Sequence, residues 1–296
     1  MIAFMPAFLD ITVPLYTFLV MFAVGTSLTI ADFCRVADAP KSVIQASLTH
    51  MIGLPLAGML VIQLLPLNEF VVAGVLLIAA CPSGSIANLY VYQARANTAL
   101  AVTLTGVSSL AALGTMPLVM LGFARFLPAS TWFHVPVLPL MRALVLFLVV
   151  PILLGMWLRH RRPEFVLRHD RWLRGGSLLL VVALIAQILW QQAPQVLTVD
   201  LAQTLQAGVL MAVLAILAGG LLGRLLKLPA ANFWTIVIWN MVQNLALAMT
   251  IAVTVYHQPR FATFAVVYFL VQVPIAAVLI LACRWRIGRY RLPAPV

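Results

Sequence analysis

The chain has 296 residues, of which 64% are hydrophobic and only 8% are charged, with a mean hydropathy of +1.09. Water-soluble domains contain about 25% charged residues, so the composition excludes a soluble enzyme, a disordered chain and a disulfide-stabilised scaffold. Lysine and arginine outnumber aspartate and glutamate by 18 to 7, which gives a net charge of +11. Because the arginines lie in short loops between apolar runs, no continuous basic face for nucleic acid is expected, and the class that fits is an integral membrane protein.

Nine apolar segments are long enough to cross a bilayer, whose hydrocarbon core requires about 20 apolar residues per helix. These predicted spans lie near residues 11–30, 42–64, 69–92, 98–122, 138–158, 175–193, 203–223, 232–256 and 262–283. They leave little chain for a soluble domain, so we expect residues 1–296 to form a single membrane domain. The predicted fold class is therefore an all-α polytopic membrane protein with about nine transmembrane helices.

The basic residues alternate between the predicted loops, and this alternation predicts an orientation. With nine spans, 15 of the 18 basic residues fall in the odd-numbered loops and the C-terminus. The positive-inside rule then predicts a cytoplasmic C-terminus and an N-terminus outside the plasma (inner) membrane. No basic residue precedes the first apolar stretch, so a cleaved signal peptide is not expected.

Small and polar residues interrupt the third predicted span. Its centre reads Cys81-Pro82-Ser83-Gly84-Ser85-Ile86-Ala87-Asn88. Pro82 removes a backbone donor, and Gly84 gives the backbone additional freedom. Helix breaks at membrane depth persist where the freed groups line a cavity, and the N-terminus of a half-helix can face an anion there. The pattern favours a helix break beside a binding cavity; a Pro kink packed against neighbouring helices is the alternative.

Side-chain amides gather in the eighth predicted span. Asn240, Gln243 and Asn244 have i, i+3, i+4 spacing, which in a continuous helix places them on one face. We predict that they bind substrate; interhelical hydrogen bonding that stabilises the bundle is the alternative. Gln272 in the last span is a further candidate. His50 in the second span is either a packed neutral residue or a proton carrier, since histidine titrates near physiological pH.

The seven acidic residues all fall at predicted span ends or in loops. Paired carboxylates for acid–base catalysis and a carboxylate-bound metal site are therefore not expected in the membrane. The sequence also lacks Ser–His–Asp and HExxH arrangements. Its three cysteines are scattered without metal-ligand spacing, which predicts free thiols. Neither an enzyme nor a metal centre is expected.

Several stretches resemble the bile acid:sodium symporter family of secondary transporters, and together they cover nearly the whole chain. Residues 25–33 with Pro40-Lys41 resemble the first characteristic stretch of the family. Residues 81–88 resemble its Cys-Pro-Gly-Gly-x-x-Ser-Asn signature, and residues 92–101 resemble its Tyr-x-Ala-Arg-Gly-x-x-Ala-Leu-Ser stretch. Residues 243–248 resemble the end of its Glu-x-Gly-x-Gln-Asn-x-x-Leu-Ala motif. Bacterial members of the family commonly have ten helices. The resemblance implies that this chain begins at the second of these helices, which gives nine helices, as in the animal members.

The resemblance implies a two-part fold derived from inverted repeats, in which a panel domain packs against a core domain. Two broken helices would cross in the core, near the third and eighth predicted spans. A small organic anion, such as a bile acid or a pantoate-like acid, would bind beside the crossing, with two sodium ions behind it. The candidate substrate-binding residues are then Ser85, Asn88, Asn240, Gln243, Asn244 and Gln272.

The residues at the implied sodium sites depart from the family pattern. The first site uses Ser, Asn, Ser, Thr and Glu in the family, and the corresponding residues here are Ala87, Asn88, Ala101, Thr105 and Trp239. The second site would consist of local backbone carbonyls with His50, Trp239 and Gln243. An indole cannot replace the carboxylate that normally anchors a hard cation. Sodium is the only cofactor that the resemblance implies, and the remaining ion-coupling positions (Asn88, Thr105, Gln243 and His50) are degenerate.

These observations predict a secondary transporter that carries a small organic anion by alternating access, with weakened or absent sodium coupling. Uniport, exchange and proton coupling through His50 are open, as is sodium symport in which Asn240 rotates in as a neutral ligand. Two other functions are alternatives: carriage of an inorganic or metalloid anion through Cys81, and a non-transporting membrane sensor derived from a carrier. The lipid bilayer and the anion are the expected partners, and the sequence leaves the oligomeric state open.

Overall fold

The computed structural model describes residues 4–38, 40–127, 134–196 and 201–290. Within these ranges the chain is helical and contains no strand, which confirms the all-α class. Fifteen α-helices are joined in places by two π-helical turns (Thr49–Gly53 and Val145–Val149) and one 3₁₀ turn (Pro259–Ala262). The helices are α1 (Phe4–Ser27), α2 (Ile30–Asp38), α3 (Pro40–Leu48), α4 (Leu54–Leu64), α5 (Glu69–Ala80), α6 (Ile86–Gln93), α7 (Thr98–Phe126), α8 (Val137–Leu144), α9 (Val150–Arg161), α10 (Pro163–Arg168), α11 (Asp170–Val196), α12 (Leu201–Leu225), α13 (Ala230–Met241), α14 (Leu245–Thr254) and α15 (Thr263–Tyr290).

Six helical segments within the described ranges are long and apolar enough to cross a membrane. They are Leu9–Ser27, Pro40–Leu64, Thr98–Phe126, Val137–Arg161, Leu201–Leu225 and Pro259–Arg286. The shorter apolar helices Glu69–Ala80, Gly175–Trp190 and Leu245–Thr254 fall within the third, sixth and eighth predicted spans. A polytopic membrane fold agrees with these segments, whereas the total of nine spans and the division into panel and core stay predictions.

The third and eighth predicted spans are each divided into two helices. The first pair separates after Ala80 and resumes at Ile86, and the second separates after Met241 and resumes at Leu245. The first break is the one that Pro82 and its small neighbours predict. The second break begins next to Met241, which occupies the glycine position of the family motif, so a glycine is not required there.

Backbone hydrogen bonds join the two breaks to each other. Gly84 N donates to Val242 O at 3.1 Å, and Asn244 N donates to Pro82 O at 3.0 Å. The two short segments thus form an isolated antiparallel bridge. Backbone polar groups cannot remain unsatisfied in hydrocarbon. Each break therefore supplies the partners that the other one needs.

Gly84 is needed for close approach rather than for an unusual backbone conformation. The sequence suggested extra backbone freedom, but no described glycine has a positive φ. A Cβ on Gly84 would lie 2.5 Å from the carbonyl oxygen of Gln243, which is too close for any side chain. A similar approach joins α1 to α9, where a Cβ on Gly25 or Gly155 would overlap the backbone of the opposite helix. Small residues at such crossings let membrane helices pack closely.

Two neighbouring helices bind the backbone around the second break. Thr17 Oγ1 of α1 donates to Ala246 O at 3.0 Å and accepts a hydrogen bond from Thr250 Oγ1 at 2.6 Å. Tyr268 OH of α15 donates to Met241 O at 2.7 Å. All of these groups are buried. The second break is therefore held from two sides as well as by the first break.

Replacing Gly84 with Ala is expected to lower stability by about 1–3 kcal/mol, the usual cost of overpacking a close contact, because the Gln243 backbone cannot move away without losing the pairing. Gly53→Ala is the matched control, since a Cβ there meets only side-chain carbons, at 3.7 and 3.8 Å. Thermal unfolding of the purified protein in detergent measures both variants. Equal midpoints for the two variants would contradict the role of close approach at the break.

Candidate functional site

A small polar cavity lies beside the first break, between α1, α6, α7 and α11. Its volume is about 110 Å³. The polar part of its lining consists of Ser27, Ser85, Asn88, Thr98 and Ser177. No charged side chain belongs to this lining among the residues that the structure describes. The cavity therefore brings together two of the predicted substrate-binding residues, Ser85 and Asn88, with three further hydroxyl groups.

Two helices begin at this cavity. α6 starts at Ile86, directly after Ser85, and α7 starts at Thr98. The N-terminus of a helix carries a partial positive charge, which stabilises an anion nearby. Hydroxyl and amide donors add hydrogen bonds to that field. The cavity can thus accommodate negative charge without a lysine or arginine in its lining.

A chain of hydrogen bonds joins three positions of the implied first sodium site. Trp239 Nε1 donates to Thr105 Oγ1 at 3.1 Å, and Thr105 Oγ1 donates to Asn88 Oδ1 at 3.1 Å. The three side chains are buried, as are Ala87 and Ala101, which carry no side-chain oxygen. An indole N–H is a donor only. It therefore occupies an oxygen that would otherwise be available to a cation, and the residues present do not fit a sodium ion here.

His50 lies in the π-helical turn Thr49–Gly53 and pairs with Asn240. Asn240 Nδ2 donates to Ala215 O at 2.7 Å, which orients the amide so that Oδ1 faces His50 Nδ1 at 3.2 Å. Since Oδ1 can only accept, Nδ1 of the histidine carries the proton. The imidazole ring also lies against Trp239, with the ring centroids 4.7 Å apart. Two residues of the implied second sodium site, His50 and Trp239, thus pack against each other, and His50 also pairs with Asn240.

Two buried polar atoms near Asn240 have no hydrogen-bond partner among the described residues. They are His50 Nε2 and Gln243 Oε1. Gln243 Nε2 donates to Asn240 O at 3.0 Å, so both side chains converge on the same residue. In a neutral imidazole protonated at Nδ1, Nε2 is an acceptor, as is a carboxamide oxygen. Each of these atoms can therefore accept a hydrogen bond from a water molecule.

The helical face expected for Asn240, Gln243 and Asn244 does not form, because α13 ends at Met241. Asn240 faces His50, whereas Asn244 caps α14: its Oδ1 accepts from Leu247 N at 3.1 Å. An N-cap side chain of this kind stabilises the first turn of a helix. Asn244 therefore has a structural partner of its own, and its part in substrate binding stays a prediction.

Ser85, Gln243 and Asn244 meet at a crevice of about 10 Å³. This volume is about that needed for a single water molecule. The crevice therefore brings Ser85 close to the second break but leaves no room there for an organic anion. Gln272 does not line this crevice or the cavity: it is buried in α15, and no described residue hydrogen-bonds to its side chain.

Two residues with clear roles at the breaks received no assignment from the sequence. Ser83 Oγ is within hydrogen-bond distance of Trp239 O at 3.1 Å and Val242 O at 2.9 Å. Its place next to Pro82 was a signal that could have identified it. Tyr268 carried no such signal, because a single tyrosine in an apolar span is ordinary.

Comparison with known proteins supplies the family. The profile of the sodium bile acid symporter family matches residues 14–199. The human ileal sodium/bile acid cotransporter is 28% identical over 273 residues, which cover 88% of this chain and 75% of that protein. The probable chloroplastic sodium/metabolite cotransporter of Arabidopsis thaliana is 27% identical over 239 residues, covering 81% of this chain and 58% of that protein. The mouse sodium-dependent organic anion transporter is 30% identical over 173 residues, covering 58% of this chain and 46% of that protein.

The matched profile spans more than half of the chain. The family consists of transporters, which confirms that the chain is not an enzyme. The apolar helices agree with an integral, multi-pass protein of the membrane. This chain belongs to the sodium/bile acid symporter family of membrane transporters.

Proposed function

We propose that this protein is a secondary carrier of a small organic anion, works by alternating access, and couples weakly or not at all to sodium. The observation that carries the proposal is the hydrogen-bonded chain from Trp239 through Thr105 to Asn88. We place the carrier in the plasma (inner) membrane with its N-terminus outside and its C-terminus in the cytoplasm, as the distribution of basic residues predicts.

The cavity at the first break supports an organic anion as substrate. The named relatives include two cotransporters of bile acid or organic anion. Here the cavity offers hydroxyl donors and the first turns of α6 and α7. Its volume of about 110 Å³ is small beside the roughly 300–1,000 Å³ of sites for drug-sized ligands. A pantoate-like carboxylate of a few carbon atoms therefore fits better than a steroid.

Two features support weak sodium coupling. A hard cation needs oxygen ligands that offset the loss of its hydration shell. At the first site the oxygens of Asn88 and Thr105 accept hydrogen bonds from protein donors. At the second site, Asn240 binds His50 and the Ala215 carbonyl. That engagement also disfavours the alternative in which Asn240 rotates towards the first site as a substitute ligand.

A sensor that binds the anion without moving it is the second candidate function. The departures from the family residues at the ion positions favour it, because a carrier that no longer binds its driving ion has no ion gradient to power transport. Reconstitution in liposomes separates the two functions. Flux of radiolabelled pantoate supports the carrier, whereas saturable binding with no flux supports the sensor.

Substrate binding at the cavity is tested with Ser85→Val, which removes a hydroxyl and narrows the space. We expect pantoate to raise the unfolding temperature of the wild type more than cholate does. The variant should bind pantoate about tenfold more weakly, as expected for losing a hydrogen bond to a charged group. Ser42→Val in α3 is the control, because Ser42 does not line the cavity. Pantoate binding that Ser85→Val leaves unchanged would argue for another site.

Sodium coupling is tested by restoring the family ligands. We expect no saturable binding of radiolabelled sodium to the wild type, and measurable binding to the triple variant Ala87→Ser/Ala101→Ser/Trp239→Glu. Trp239→Gln in the same background is the matched control, since it creates the same cavity without the carboxylate. Strict sodium dependence of transport in the wild type, surviving Asn240→Ala, would exclude weak coupling.

Proton coupling is tested at His50, whose Nε2 is a buried acceptor. If this carrier is proton-linked, an inward proton gradient accelerates anion uptake in the wild type and has no effect in His50→Gln. His257→Gln is the control, because His257 is exposed after α14. Wild-type uptake that is indifferent to the gradient assigns the protein to uniport or exchange.

A further inference from the structure

An apolar groove opens on the surface between α4 and α12, with α13 and α15 forming its other walls. We call it the α4–α12 groove. Its volume is about 680 Å³, several times that of the polar cavity at the first break. Leucines dominate its lining: Leu56 and Leu60 of α4, Leu217 and Leu221 of α12, and Leu279 of α15. The groove is thus a separate site from the one that the anion is proposed to use.

The lining carries charge only at one end. Among the described residues, Arg224 is the single charged residue in the groove, and it lies in the last turn of α12. Its side chain is exposed. The leucines are exposed as well, with Leu56 at 64% and Leu221 at 61%. A ligand that matches this surface has a long apolar part and one anionic group.

Two glycines leave the floor of the groove open. A Cβ on Gly220 would have only Val237 Cγ2 near it, at 4.0 Å, and a Cβ on Gly53 would meet side-chain carbons at 3.7 and 3.8 Å. A larger side chain at Gly220 therefore has space to extend into the groove. Unlike Gly84, neither glycine is required by close packing of helices. Their effect is to make room for an occupant.

We propose that the α4–α12 groove binds one anionic glycerophospholipid, with an acyl chain along the leucines and the phosphate at Arg224. A basic residue at the membrane surface attracts anionic lipid headgroups. The combination of an exposed apolar groove and an arginine at its end fits a lipid better than free phosphate, which would leave the leucines without a partner. α13 lines the groove with Trp234 and Val237 and then leads into the second break. A bound lipid therefore contacts the helix that carries Asn240.

The experiment measures lipid retention by native mass spectrometry, after mixing the purified protein with equal amounts of dioleoyl phosphatidylglycerol and dioleoyl phosphatidylcholine. We expect the wild type to retain phosphatidylglycerol preferentially. Arg224→Gln should reduce this preference about fivefold, the effect of one basic residue on attraction to an anionic headgroup. Arg286→Gln is the matched control, since Arg286 is exposed on α15 and outside the groove.

A second pair of variants tests the apolar part. Gly220→Leu should fill the groove and abolish retention of both lipids. Gly114→Leu is the control, because Gly114 is exposed on α7 with no atom near its Cβ position. The proposal is overturned by equal retention of the two lipids in the wild type, by equal losses in the two arginine variants, or by displacement of the lipid with inorganic phosphate. A dimer that dissociates in Gly220→Leu would overturn it too, by assigning the groove to a second copy of the chain.

Discussion

The pairing of the two helix breaks is the interaction on which the candidate site depends. In hydrocarbon, each unpaired backbone group costs several kcal/mol, so a single break at this depth would be unstable alone. Gly84 and Asn244 donate across the bridge to Val242 and Pro82. The pairing holds Ser85 and Gln243 at adjacent positions although they belong to distant parts of the chain. The polar side chains of the site are thereby presented from two breaks whose backbones are hydrogen-bonded to each other.

The hydrogen-bonded chain from Trp239 to Asn88 is the second organising feature. A bound sodium ion would organise several oxygen atoms around a positive charge. In this chain the indole N–H of Trp239 organises Thr105 and, through it, Asn88. The indole is a fixed part of the protein, whereas an ion would have to be bound from solution. The network can therefore stabilise the break without supplying a driving force.

Part of the site followed from local patterns. The Pro82 run predicted both a helix break and an adjacent cavity, and the cavity contains Ser85 and Asn88. The prediction for the amides of the eighth span was less accurate. Helical spacing places Asn240 and Asn244 on one face only if the helix continues, and α13 ends between them. The direction of each amide then depends on the backbone of the break, which spacing alone does not describe.

The sequence by itself determined the membrane environment of this protein, because composition sets which environment can cover the surface. It also determined the interruption of the third predicted span, because Pro82 with its small neighbours disrupts a helix locally. The tertiary structure alone decided which polar atoms are satisfied. His50 and Asn240 are 190 residues apart, and Thr105 and Trp239 are 134 residues apart. A hydrogen bond depends on distances of a few tenths of an ångström between such residues. Those distances arise only from packing. They decide that the oxygens of Asn88 and Thr105 are hydrogen-bonded, whereas Nε2 of His50 has no partner among the described residues.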